Sequence, residues 1–178
     1  MAASLASTHY TEPWLRGTHA DFPAPARAVL HALELVLDDL TKWTAGLTDA
    51  EVHSLPLGLT SIAYHLRHIA GSTDRILIYA EGGELTAEQL ASLKSEQAGD
   101  EPLAALLAEV EVSFARAADR IRMLATANLD TPRFVGRKKL PTSIGGALIH
   151  VADHTARHVG QVVTTAKVIR AMKAASNG

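Results

Sequence analysis

The sequence predicts an all-α protein, a four-helix bundle, on three observations. Four long stretches repeat apolar residues at steps of three and four, the period of a helix with one buried face. No stretch shows a convincing alternation of apolar and polar residues, the mark of a half-buried strand. Aromatic residues make up only 4% of the chain, so Ala and Leu supply the packing and helices can approach closely.

The elements follow in order. A Pro-punctuated lead-in (Pro13, Pro23, Pro25) precedes the first stripe, Val29, Leu33, Val36, Leu40, Trp43 and Leu47. Its Trp14 and Leu15 are too apolar for a free tail and are expected to dock on the bundle or on a partner subunit. The second stripe, Ile62, Leu66, Ile69, Ile76 and Ala80, starts behind a cap at Thr60 or Ser61 and stops at Gly82-Gly83. The third runs from Leu103 through Val110, Phe114 and Ile121 to Leu124 and fades before Pro132. The fourth begins after Pro141 and Thr142 and runs through Leu148, Val151, Val159 and Val162 to Ile169. Thr86-Ala-Glu-Gln89 has capping-box spacing, which predicts a short extra helix in the 81–101 connection. The 126–141 connection carries Arg133, Arg137, Lys138 and Lys139, and its Arg137-Lys138-Lys139 run reads as a solvated loop. No repeat or linker divides the chain, so the expectation is one domain over 1–178 with residues 1–23 as a lead-in segment.

Composition narrows the chemistry. The 178 residues include no Cys, which excludes disulfides, thiolate metal sites and a thiol nucleophile borne by the chain. A metal must therefore be held by His, Asp or Glu. The net charge of −2 gives no basic field for nucleic acid or anionic lipid. The start lacks the pattern of a secretory signal, and no run of about 18 apolar residues occurs, so a soluble, cytoplasmic protein is expected.

The nine histidines are not scattered. Five fall in two helical segments, His65-Leu-Arg-His68 and His150-Val-Ala-Asp-His154-Thr-Ala-Arg-His158. Residues four apart on a helix have neighbouring Cβ atoms about 6 Å apart, so two imidazoles at that spacing can converge on one ion. A third donor must come from the other helix, and three neutral nitrogens leave a coordination position open for water or substrate. On a helical wheel His154 and His158 lie at the margin of the apolar stripe, with His150 turned furthest toward the polar side. In the second helix the wheel favours His65 over His68.

Ser61-Ile-Ala-Tyr-His-Leu-Arg-His68-Ile-Ala together with His154-Thr-Ala-Arg-His158-Val-Gly-Gln161 resembles the DinB/YfiT-like superfamily. That resemblance implies an up-down-down-up four-helix bundle binding a divalent metal, commonly nickel or zinc, through one His of the second helix and an H-x3-H pair of the fourth. Carried over by position, the ligands are His68, His154 and His158. His65 and His150 are alternative ligands, and Gln161 is a candidate outer partner. Tyr64, Asp74 and Arg75 share the second helix, with Arg75 expected on an exposed face.

The resemblance further implies an enzyme similar to thiol-dependent S-transferases, with a low-molecular-weight thiol as cosubstrate, a small-molecule substrate and a homodimeric assembly. A bound cation lowers the pKa of a coordinated thiol or water, which also suits a metal-dependent hydrolase. In the hydrolase reading His150-Val-Ala-Asp153-His154 resembles H-x-x-E-H proteases with Asp153 as general base, although its side chain is shorter than Glu. A salt bridge from Asp153 to Arg157 is the plainer expectation. A third reading, from another class, is a non-catalytic, metal-stabilised binding or dimerisation bundle.

Overall fold

The structure, a computed structural model, describes residues 10–176. A 3-10 turn at Pro13–Leu15 leads into α1 (Ala24–Thr44), and short α2 (Asp49–His53) and a second 3-10 turn (Pro56–Gly58) precede α3 (Ile62–Ala80). Then come α4 (Ala87–Ser95), α5 (Leu103–Leu124), an antiparallel hairpin of β1 (Pro132–Val135) and β2 (Leu140–Ser143), and α6 (Ile144–Ser176). The four predicted stripes are α1, α3, α5 and α6, and together they form a four-helix bundle.

Local chemistry sets the boundaries. Pro25 sits in the first turn of α1, where its missing N–H removes no helical hydrogen bond. Ser61 caps α3 by accepting from the Tyr64 backbone N–H at 3.2 Å. Past the end of α3, Gly82 takes φ +88°, and the Gly83 N–H returns to the Ile78 carbonyl at 2.8 Å. The capping box expected at Thr86 and Gln89 opens α4. A second one, Thr48 with Glu51, opens α2, which the apolar stripes did not signal because only Val52 of that helix is buried.

Cross-helix contacts give the directions. The Thr165 hydroxyl reaches the Thr60 carbonyl and His158 meets His65, so α3 and α6 run antiparallel. Arg170 donates to the carbonyls of Trp43 and Ala45, which makes α6 parallel to α1. Arg67 pairs with Glu101 and Arg120 with Glu81, which makes α5 parallel to α3. The order is therefore up-down-down-up. Parallel neighbours cannot be joined by a tight turn, so residues 81–102 must travel back along the length of α3. The core is the shared interior of the four helices, with Leu40, Ile62, Leu66, Leu106, Ile121 and Leu148 each at 1% exposure or less.

Two expectations need correction. The 126–141 connection contains strand that no alternation predicted, since its flanks pair as β1 and β2 from Pro132 opposite Ser143 to Val135 opposite Leu140, with Arg137, Lys138 and Lys139 on the exposed turn between them. Four-residue strands that each contain a Pro are too short to show an alternating pattern. Trp14 and Leu15 do not dock on the bundle and are 61% and 57% exposed. The lead-in is anchored instead by buried Pro13 and by Tyr10 and Arg16, both of which donate to Asp38 at 2.9 and 2.6 Å. Among the described residues, no helix is long and apolar enough to cross a membrane.

Candidate metal centre

The antiparallel seam between α3 and α6 carries a run of imidazoles. His65 and His68 stand one turn apart on α3, and His154 and His158 one turn apart on α6, so opposed directions set 68 against 154 and 65 against 158. His68, His154 and His158 each place one ring nitrogen so that all three atoms lie within 4.8 Å of one another. The His68 Nε2 and His154 Nε2 are 3.4 Å apart. Two donors held at 2.0–2.1 Å from a tetrahedral ion stand about 3.4 Å apart, so this pair already has the spacing of a shared cation.

Each ring of the triad engages its other nitrogen elsewhere. His68 Nδ1 lies 2.6 Å from Glu96 Oε2. His154 Nδ1 is 3.4 Å from the Ser72 hydroxyl, whose own proton can go to the Ile69 carbonyl. His158 Nδ1 lies 3.0 Å from His65 Nδ1. A carboxylate can only accept, so His68 carries its proton on Nδ1, and the Ser72 contact suits the same tautomer for His154. Their Nε2 lone pairs then face each other across 3.4 Å with no hydrogen between them. The phenol ring of Tyr64 stacks on His68 with centroids 5.5 Å apart and planes 13° apart, which limits rotation of that ring.

Glu96 is the residue beside the triad that the stripes and motifs did not reveal. It caps the C-terminus of α4 on the return connection and is 5% exposed, between His68 and the Arg75 guanidinium, whose Nη2 lies 2.7 Å from Oε1. Burial pushes its carboxyl up, but hydrogen bonds from His68 and Arg75, with the Arg75 charge, outweigh burial and hold it below the usual carboxylate range. Arg75 is accordingly not on an exposed face; it is 8% exposed, because a buried carboxylate needs a cation beside it. Gly71 makes room for this pair: a Cβ there would lie 2.6 Å from Arg75 Nη1 and 2.7 Å from Glu96 Oε1. The only sequence signal for Glu96 was an acidic residue in a connection too long for a turn.

Burial, and after it the neighbouring imidazoles, push His65, His154 and His158 down to about 4. These rings are neutral near pH 7, which is the state a cation requires of an imidazole. The remaining candidates separate cleanly. His65, at 5% exposure, lies deeper than the triad and supports His158. The His150 side chain is half exposed; its ring stands 5.3 Å from that of His154, and its Nδ1 lies 3.6 Å from Asp153. Asp153 is exposed and paired with Arg157. Gln161 is exposed, one turn past His158, and the carboxylate beside His68 is that of Glu96. Asp74 pairs with Arg120 of α5, away from the triad.

Comparison with known proteins agrees with this architecture. No curated protein matches the chain. Among solved structures it is similar to YfiT from Bacillus subtilis, described as a probable metal-dependent hydrolase with an unusual four-helix bundle topology. The two share 18% identity and a TM-score of 0.63 over 83% of this chain and 87% of that one, a likeness of fold. The family model described as the DinB superfamily matches residues 32–162, a span that holds all four bundle helices at least in part and the whole triad. The chain belongs to the DinB superfamily.

Proposed function

We propose that this protein is a divalent-metal-dependent enzyme in which His68, His154 and His158 hold the cation through Nε2, with nickel or zinc as the ion. The observation that carries the reading is the 3.4 Å approach of two imidazole nitrogens whose protons are drawn to the far side of each ring by Glu96 and Ser72. Two lone pairs so placed repel each other unless a positive charge lies between them. When bound, a divalent cation supplies Lewis acidity and lowers the pKa of a thiol or water at its vacant position.

The chain's own residues do the rest. Glu96 holds the proton of His68 on Nδ1 and raises the basicity of Nε2, as carboxylate partners of metal-bound imidazoles do. Arg75 keeps Glu96 ionised, and Tyr64 fixes the plane of the His68 ring. His65 orients His158 from below. None of these groups is free to take a substrate proton: Glu96 is committed to His68 and Arg75, and Asp153 faces solvent beside Arg157.

A site without a carboxylate base suits a nucleophile that ionises on binding. This supports transfer of a low-molecular-weight thiol, arriving as cosubstrate, to an electrophilic small molecule. The likeness to YfiT favours hydrolysis as the second reading.

The test is metal analysis of untagged protein followed by assays with the reconstituted ion. Thiol consumption with an electrophile is measured beside ester and amide hydrolysis. His154→Ala should remain helical, take up one equivalent of metal fewer than the unaltered chain and lose whichever activity is found. Unchanged metal uptake by that variant, or an ion-free protein with full activity, overturns the assignment.

A further inference from the structure

A second cluster of metal-binding side chains lies on another part of the molecule, where the lead-in crosses α1. His31 and Glu34 are three residues apart on α1 and so share one face of it. His19 comes to them from the lead-in, with its backbone in the left-handed region at φ +56°, a conformation uncommon for a residue other than Gly and kept only where the surroundings enforce it. His19 Nε2 lies 2.7 Å from Glu34 Oε1, and the His19 and His31 rings are 5.4 Å apart. His31 is only 7% exposed, and its Nε2 is 3.0 Å from the Thr18 hydroxyl. One donor atom from each of the three lies within 4.8 Å of the others. A cavity of about 200 Å³ between α1 and α5 opens beside them, with His19 and Glu34 on one wall and Glu111 on the other.

We propose that His19, His31 and Glu34 form a second divalent-cation site, which fastens the lead-in to α1. Two imidazoles and one carboxylate are a donor set for a first-row divalent ion such as zinc, and the adjoining cavity has room for water to complete the coordination. Reaching the donor spacing of about 3.4 Å around a shared ion requires the His19–Glu34 pair, now 2.7 Å apart, to open slightly, a shift His19 can make because it sits on the lead-in and not inside a helix. The site joins two segments whose other polar ties include exposed hydrogen bonds from Tyr10 and Arg16 to Asp38. Its expected role is therefore fastening rather than catalysis.

The experiment is a zinc titration of untagged protein stripped with EDTA, followed by calorimetry and by metal content after desalting. The unaltered chain should bind two equivalents. Glu34→Gln and, separately, His19→Ala should each bind one. Both substitutions lie outside the core and should leave the far-UV circular dichroism unchanged. His154→Ala should also bind one equivalent, and that ion should disappear when Glu34→Gln is added, so failure at either site shows independently of the other. Uptake by Glu34→Gln and His19→Ala equal to that of the unaltered chain overturns the second site. So does a single equivalent in the unaltered chain that His154→Ala abolishes.

Discussion

The α3–α6 seam and the α1–α5 edge are built from the same kind of amphipathic helix but solve different problems. The seam is closely packed and carries four imidazoles, each bonded to a partner, above fully buried Leu66 and Ile69. The edge is only loosely joined, leaves a cavity between Leu33 and Phe114, and is crossed by the lead-in. Polar groups inside a bundle are tolerated where each has a partner, and a looser boundary is where a separate segment finds a foothold.

Truncating a leucine in each region gives the largest contrast. Leu66→Ala, at 0% exposure beneath the seam, should cost near the top of the range of about 2–5 kcal/mol for such changes, because its neighbours cannot close the space. Leu33→Ala, which borders an existing cavity, should fall near the bottom of that range. Urea unfolding measures both, and equal losses would erase the distinction between the two regions.

Glu96→Gln sharpens the comparison at the seam. The amide keeps the shape but cannot hold the His68 proton as firmly and leaves Arg75 without its counter-charge, so zinc affinity should fall about 10–100-fold. Competition with a chromophoric chelator reads this directly, and unchanged affinity would remove Glu96 from the centre.

Acid should give the most gradual effect. His65, His154 and His158 hold values near 4 in the folded chain against an ordinary 6.5, so between those limits the unfolded chain binds more protons. The stability that depends on their neutrality is complete above about pH 6.5 and drains away as pH falls toward 4. Urea midpoints of metal-free protein at pH 7 and pH 5 should differ in that direction. A His154→Asn, His158→Asn double variant should show a shallower slope.

The four helices were legible because each buries one stripe, and a stripe is a local pattern of apolar residues. The histidine cluster was legible for a related reason: spacings of three and four put donors on one face whatever the tertiary structure. The wheel ranked His65 as more buried than His68, and it is; burial alone, however, does not say which ring meets the α6 pair. Glu96 could not be read, since it reaches His68 only because α3 and α5 run parallel and the connection must return along the bundle. Arg75 followed from it, a cation placed inside by a carboxylate from a distant segment. The hairpin escaped notice because its strands are too short for a period to appear.

That return segment ties two events together. Helix α4 buries none of its own residues, so its hold on the bundle depends heavily on the carboxylate at its end. Whatever tightens His68 against an ion tightens Glu96 against His68, and by reciprocity whatever seats the crossover raises affinity for the ion by the same factor. Occupancy of the triad should therefore be audible from outside, as slower amide exchange along residues 87–96.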